Sequence, residues 1–308
     1  MNRKIIGTGS YLPANLVTNE QLAKSINTSD EWIISRTGIK QRYIADETSS
    51  FMGYQAALNA IQNSNIDKNE IDLIIVATTT PDKTFPSTAC IIQELLGIEG
   101  NTAAFDVQAV CAGFAYGFAI ADSMIFSGNS KCALVIGVDK MSSIIDWSDR
   151  KTCVLFGDGA GAVIMKPSES QGIIGSKLYA DGSLGDILYA EKEGYLVMQG
   201  AEVFKNAVEK ISSTIVELLA AYNIDISDVD HFIPHQANIR ILEAVAKKLE
   251  IADSKVVITV DKHANTSAAS IPLALDDAVR SGLIKKGELV LSVAIGGGMC
   301  WGGNLFRL

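Results

Sequence analysis

Residues 106–128 read DVQAVCAGFAYGFAIADSMIFSG, and residues 265–282 read NTSAASIPLALDDAVRSG. The first stretch opens as a strand and passes through Cys111 into a run of Ala, Gly and Phe with the composition of a buried helix. From Cys111 to the Ser-Gly at 127–128 that run has the same length as 265–282, which also ends in Ser-Gly. A second pair lies upstream at nearly the same offset: NIDKNEID at 65–72 and NIDISDVD at 223–230, each leading into a strand. Matches in the same order about half a chain apart mark two duplicated halves. Superposed, the halves put Cys111 and Asn265 at equivalent positions, each at the start of a buried helix.

Around these pairs, β-branched apolar bursts alternate with helical periodicity. IDLIIVATTT, TAAFDV and KCALVIGVD in the first half, and VDHFIP, SKVVITV and ELVLSVAIGGG in the second, read as strands with helices between them. That alternation indicates an α/β fold with mostly parallel strands. We expect an N-terminal half at 1–167 carrying the cysteine and a C-terminal half at 168–308 carrying histidine and asparagine.

The chain has 308 residues, is 48% hydrophobic and carries a net charge of −9, which suits a large core and argues against bulk attraction to nucleic acid or anionic membrane. The N-terminal apolar run is too short for a secretory signal, and no stretch approaches the ~18 apolar residues of a membrane helix. A cytoplasmic protein is expected. Five cysteines, at 90, 111, 132, 153 and 300, show neither paired nor zinc-like spacing, so free thiols are expected.

Cys111 is either a packed apolar filler or a nucleophile; at a helix N-terminus the backbone N–H groups and the dipole would favour its thiolate. HFIPH at 231–235 holds two of the three histidines. On a strand they would lie ~13 Å apart at ~3.3 Å per residue, too far to share a metal ion. His235, just past the carboxyl end of a strand where ligands of α/β sheets bind, is the candidate acid, base or hydrogen-bond donor. Asn265 reads as a helix cap, a role that leaves a second one open. GDGAGA at 157–162 imitates a nucleotide loop, but its flanks CVLF and VIM read as strands, so tight backbone packing is expected instead. GGG at 296–298 follows a strand and could offer backbone N–H donors to a developing oxyanion.

Seven ordered motifs, DEWIISRTGI, TFPSTAC, VCAGFAYG, FGDGAGAV, PHQANIRI, NTSAAS and GGGMCWGG, carry a resemblance. The chain resembles the β-ketoacyl-acyl carrier protein synthase III family, the initiating condensing enzymes of type II fatty acid synthesis, over essentially its full length. The resemblance implies a thiolase-like fold of five layers (αβαβα) and a catalytic Cys111, His235 and Asn265. It also implies the backbone N–H groups of Cys111 and Gly297 as oxyanion hole. The reaction implied is acylation of Cys111 by acetyl-coenzyme A, then attack by decarboxylated malonyl-acyl carrier protein. No metal or redox cofactor is implied; the coenzyme A thioester is a substrate.

The same resemblance assigns coenzyme A binding to Thr28, Trp32, Arg36 and Arg150. Thr28 and Glu31 have capping-box spacing, which would set Trp32 and Arg36 one turn apart on a helix face. Carrier-protein binding falls on Gln236, Ala237, Asn238, Ile239 and Arg240, with Lys205, Lys247 and Lys248 completing a basic stripe suited to an acidic partner. A homodimer is implied, with Phe85 bordering the neighbouring acyl pocket and Ile295 near the nucleophile in its own. Ala264 stands where the family usually has Gly, Ile295 where it has Phe, and MCW where Phe-Thr-Trp is common. These departures bear on primer size and coenzyme access. The alternative within the fold is a specialised condensing enzyme or acyltransferase of secondary metabolism.

Overall fold

The structure, a computed structural model, describes residues 2–308. One sheet has five strands in the order Asn2–Tyr11, Gly159–Ser168, Ala133–Asp139, Leu73–Ala77, Ala103–Val107. Its first two pairings are antiparallel and the other two parallel. The second sheet runs Ile173–Ala180, Cys300–Arg307, Leu289–Gly296, His231–Pro234, with antiparallel, antiparallel and parallel pairings. It therefore repeats the first four positions of the first sheet. We propose the boundary between halves close to the expected 167/168, since Gly159–Ser168 is the last strand in the chain to join the first sheet and Ile173–Ala180 the first to join the second.

Local geometry repeats with the topology. NIDKNEID and NIDISDVD each form a 3₁₀ turn with a reciprocal capping box, Asp67 with Glu70 and Asp225 with Asp228. Each is preceded by an asparagine in the left-handed region, Asn65 at φ 55° and Asn223 at φ 52°.

The fifth strand expected from SKVVITV does not form. Only an isolated bridge joins Phe232 to Val256. The reason is a side chain distant in sequence: the Gln236 amide accepts from the N–H groups of Thr259 and Val260 and donates to the Val257 carbonyl, so it takes the backbone groups a strand would pair. CVLF is likewise not a strand; of it only Phe156 bridges, to Asn265.

Helices fill three of the five layers, the two sheets the others. Ser49–Ser64 and Thr88–Leu96 cover the outer face of the first sheet, and Gly200–Ala221 and Ile239–Lys248 that of the second. Gly113–Phe126 and Ser270–Arg280 lie between the sheets, where Phe114, Phe118, Ile271 and Leu275 share one core with strand residues of both. Leu73 and Ile75 face this middle layer while Ile74 and Val76 face the outer one. With both faces covered, the strand is a continuous apolar run. The middle helices approach closely: a β-carbon on Gly161 would lie 2.7 Å from the backbone nitrogen of Leu273. GDGAGA is thus a packing surface leading into a strand, and it seats the helix that follows Asn265.

Candidate active site

Two of the three candidate residues sit at strand-to-helix corners. After strand Ala103–Val107 the chain passes Val110, at φ 49°, into the 3₁₀ turn Val110–Ala112 and then helix Gly113–Phe126, placing Cys111 at the helix entrance. His235 follows strand His231–Pro234, and its N–H donates to the Val293 carbonyl at 2.7 Å. Asn265 arrives differently, because its expected strand is missing. It comes out of the short helix Val260–His263 through Ala264 at φ 59°, pinned between Leu155 and Gly157 by backbone bonds of 3.0 Å. All three side chains, with Gly296 and Ile295, line a single cavity of about 600 Å³. Gly297 lies beside that wall, against the Leu188 carbonyl.

Burial sets the proton inventory. It pushes the Cys111 thiol up to about 12, although its own backbone N–H and the Ser267 hydroxyl act downward. The helix entrance therefore does not hold a resting thiolate, which corrects the expectation from the dipole alone: dehydration of the sulfur outweighs it. Burial also lowers His235 to about 3, so the imidazole is neutral. The Asn265 carbonyl oxygen accepts from the Ser267 N–H at 2.9 Å, which turns its NH₂ group toward the remaining space. This is an Asx turn onto Ser267 and not the helix cap expected. Ser267 also lies between Cys111 and buried Asp139, lowering both, although its hydroxyl completes a hydrogen bond of normal geometry with neither.

At the cavity mouth, the Arg150 guanidinium stacks 4.6 Å from the Trp32 ring and Arg36 lies 5.8 Å from it. Trp32 and Arg36 share a helix face as their spacing predicts. The helix start does not: Ser29 caps Asp30–Thr37 by accepting from the Trp32 N–H, and Thr28 lies one residue further out. Among the described residues, the buried Thr28 hydroxyl has no hydrogen-bond partner.

The QANIR segment divides. Gln236 is 1% exposed and its amide is spent inside the protein, so it shapes the loop and cannot face a partner. Asn238 caps helix Ile239–Lys248 and donates to the Arg36 carbonyl, tying the two helices beside the mouth. Ala237 and Ile239 are half-buried, Ile239 packed against Gly38. Arg240, Lys205, Lys247 and Lys248 are exposed, and Arg240 also lines the cavity and lies over Phe204. Phe85 is 82% exposed and is not brought to this chain's cavity. His231 bonds Glu288 at 2.9 Å, a structural pairing.

Residues 105–182 match the family described as 3-oxoacyl-[acyl-carrier-protein (ACP)] synthase III, and residues 219–308 match that family's C-terminal domain. The β-ketoacyl-[acyl-carrier-protein] synthase III of Ehrlichia canis is 53% identical, covering 99% of this chain and 98% of its own. The chain belongs to the β-ketoacyl-acyl carrier protein synthase III family. The 3-oxoacyl-[acyl-carrier-protein] synthase III of Aquifex aeolicus, a solved structure, superposes with a TM-score of 0.98 at 50% identity, covering 100% of both chains. The priming β-ketosynthase of the R1128 polyketide pathway matches at 35% identity and a TM-score of 0.96, over 100% of this chain and 96% of its own. The protein is thus a thiolase-fold condensing enzyme of the acyltransferase type.

Within this synthase III, sequence reasoning missed the hairpin of Leu188–Ala190 and Leu196–Met198, which gives Leu188, Leu196 and Met198 to the cavity. Its signal was only the short apolar run YLVM at 195–198 after Gly194; the alternation of buried Leu196 with exposed Val197 exists in the fold and not in the residue types. Two serines that hold the donor groups, Ser267 and Ser270, were also missed, because nothing in NTSAAS distinguishes a capping serine from an orienting one.

Proposed function

We propose that the protein condenses acetyl-coenzyme A, or another short acyl-coenzyme A, with malonyl-acyl carrier protein to give a 3-ketoacyl-acyl carrier protein, initiating type II fatty acid synthesis. The observation that carries this reading is one cavity joining a buried thiol to two neutral hydrogen-bond donors. A decarboxylase of malonyl thioesters needs donors that stabilise an enolate, while an imidazole lowered to about 3 is a poor base for activating water as a hydrolase must.

The steps follow from the residues. The Cys111 sulfur attacks the acyl carbonyl at the helix entrance, the tetrahedral oxygen is held by the N–H groups of Cys111 and Gly297, and the thiol proton leaves with the coenzyme A sulfur. Malonyl-acyl carrier protein then enters. As its carboxylate departs as carbon dioxide, the electron pair forms an enolate whose oxygen His235 and Asn265 hold. The enolate carbon attacks the acyl group on Cys111, and the sulfur is expelled as thiolate and reprotonated from solvent. A thiolate is both a good attacking and a good leaving group, which is why sulfur occupies the corner.

Thr28, Trp32, Arg36 and Arg150 would hold the coenzyme A nucleotide at the mouth, the base stacking within the Trp32–Arg150 cluster. Arg240, Lys205, Lys247 and Lys248 would steer the acidic carrier protein, with Asn238, Ala237 and Ile239 shaping its landing edge. A cytoplasmic homodimer, in which Phe85 reaches the neighbour's acyl pocket, completes the proposal. Acetyl-coenzyme A and malonyl-acyl carrier protein given to the pure protein should yield acetoacetyl-acyl carrier protein. Thioester hydrolysis without carbon–carbon bond formation would refute the reading, and activity confined to another acceptor would select the secondary-metabolic alternative.

A further inference from the structure

His235 and Ser270 are 3% and 2% exposed, and the imidazole Nδ1 lies 2.6 Å from the Ser270 Oγ. Either atom of that pair could carry the shared hydrogen. Its owner decides what the other ring nitrogen, Nε2, can do in the cavity.

The surroundings decide it. The Gln236 N–H donates to the Ser270 Oγ at 3.4 Å, so the oxygen already accepts one hydrogen. Serines in the helices here commonly send their own hydrogen back one turn, as Ser123 does to the Ala119 carbonyl and Ser212 to the Val208 carbonyl. Among the described residues Ser270 makes no such bond; the imidazole Nδ1 is the acceptor that its hydroxyl reaches. If Nδ1 instead carried the hydrogen, the serine oxygen would accept twice and its own hydrogen would be buried with no acceptor, an arrangement folded proteins avoid.

We propose that Ser270 is a positioning residue that donates to Nδ1 of His235 and thereby fixes the ring hydrogen on Nε2, facing the cavity. Nε2–H is then a permanent donor. It cannot take the proton of Cys111, so acylation of the thiol does not depend on His235 as a base, whereas enolate formation depends on it as a donor. The side chain of Asn265 is oriented by the Ser267 N–H two residues along the same segment. Residues 265–270 therefore set both donors together. Burial disfavours the doubly protonated ring, leaving the two neutral tautomers for Ser270 to choose between.

The kinetic part of this inference rests on the proposed condensation; the tautomer does not. Nitrogen-15 NMR of selectively labelled holo-length protein reads the tautomer directly, and the expected result is a pyridine-type Nδ1 and a pyrrole-type Nε2 for His235. In Ser270→Ala we expect decarboxylative condensation to fall about a hundredfold, the size of losing one fixed oxyanion donor, while acetylation of Cys111 stays within about threefold. Ser270→Thr, which keeps the hydroxyl, should restore most of the loss. A wild-type Nδ1–H, or condensation unchanged in Ser270→Ala, overturns the inference, and if Ser270→Ala does not fold the wild-type spectrum alone decides. A wild-type enzyme with the expected tautomer but no condensation would sink the functional reading and leave Ser270 in its role.

Discussion

A β-carbon on Gly296 would lie 2.7 Å from the backbone nitrogen of Cys111 and 2.9 Å from the carbonyl oxygen of Ala109. The last residue of strand Leu289–Gly296 thus presses directly on the turn that holds the nucleophile. Its neighbour Gly297 meets the Leu188 carbonyl on the other side. In the proposed mechanism this closeness would let the backbone N–H groups of Cys111 and Gly297, from distant parts of the chain, address one oxygen.

Gly296→Ala should therefore part the strand from the Cys111 turn. We expect a loss of about 1–3 kcal/mol in stability from overpacking, and about a hundredfold slower acetylation of Cys111. Thermal unfolding and the rate of acetyl transfer from acetyl-coenzyme A check the two parts. Acetylation at the wild-type rate would show that the wall is not part of the site.

Acid should act on this fold partly through His235. Its unfolded imidazole binds a proton near 6.5, while the buried one does so only at about 3. Between those values the unfolded state holds more protons, so stability is fully present above about 6.5 and is lost as pH falls toward 3, by up to ~1.4 kcal/mol per pH unit. Buried Asp139 and Asp158, raised by burial, act in the opposite sense, and buried His263 in the same sense. His235→Gln isolates the first contribution: denaturant unfolding measured from pH 7 to pH 4 should show a shallower decline by up to one proton.

Ala264 holds φ 59° and ψ −161°, a conformation that glycine adopts freely and a β-carbon resists. It is the residue that delivers Asn265. Ala264→Gly relieves about 1–3 kcal/mol of strain, less about 0.5–1 kcal/mol for the freer unfolded chain. A net gain of about 1 kcal/mol is expected, read as a rise of about 2 °C in Tm. Ala264→Val should lose stability and condensation together.

On the proposed reading, the exposed Lys247 and Lys248, in the last turn of the helix whose start carries cavity-lining Arg240, steer the carrier protein without touching coenzyme A. Reversing Lys247 and Lys248 to Glu should raise the KM for malonyl-acyl carrier protein about tenfold at low salt, with less effect at high salt, because the attraction acts through solvent. The KM for acetyl-coenzyme A should stay unchanged. Steady-state kinetics with each substrate varied separately is the check.

The duplication made most of this architecture legible. Paired segments such as NIDKNEID and NIDISDVD fold into the same capped turn because their Asp and Glu or Asp side chains satisfy the same backbone groups. Cys111 and His235 were readable as corner residues for the same reason. What stayed hidden depends on partners far away in sequence. SKVVITV has the composition of a strand, yet the Gln236 amide captures its backbone groups. Thr28 and Glu31 have the spacing of a capping box, yet Ser29 caps the helix because it, and not Thr28, reaches the Trp32 N–H. The thiol's protonation could not be read either, because helix position is visible in sequence while burial to 6% exposure is not.

The central claim is that Cys111, His235 and Asn265 serve one cavity but different half-reactions. It is tested most directly by isolating the acetylated enzyme and mixing it, in a single turnover, with malonyl-acyl carrier protein labelled in the free carboxyl group. In the wild type, labelled carbon dioxide should appear together with discharge of the acetyl group from Cys111 and formation of acetoacetyl-acyl carrier protein. Asn265→Asp should still accept the acetyl group yet release carbon dioxide about 10²–10³-fold more slowly, a carboxylate having replaced a donor. Acetylation at another residue, or release of carbon dioxide from Asn265→Asp at the wild-type rate, would contradict the account.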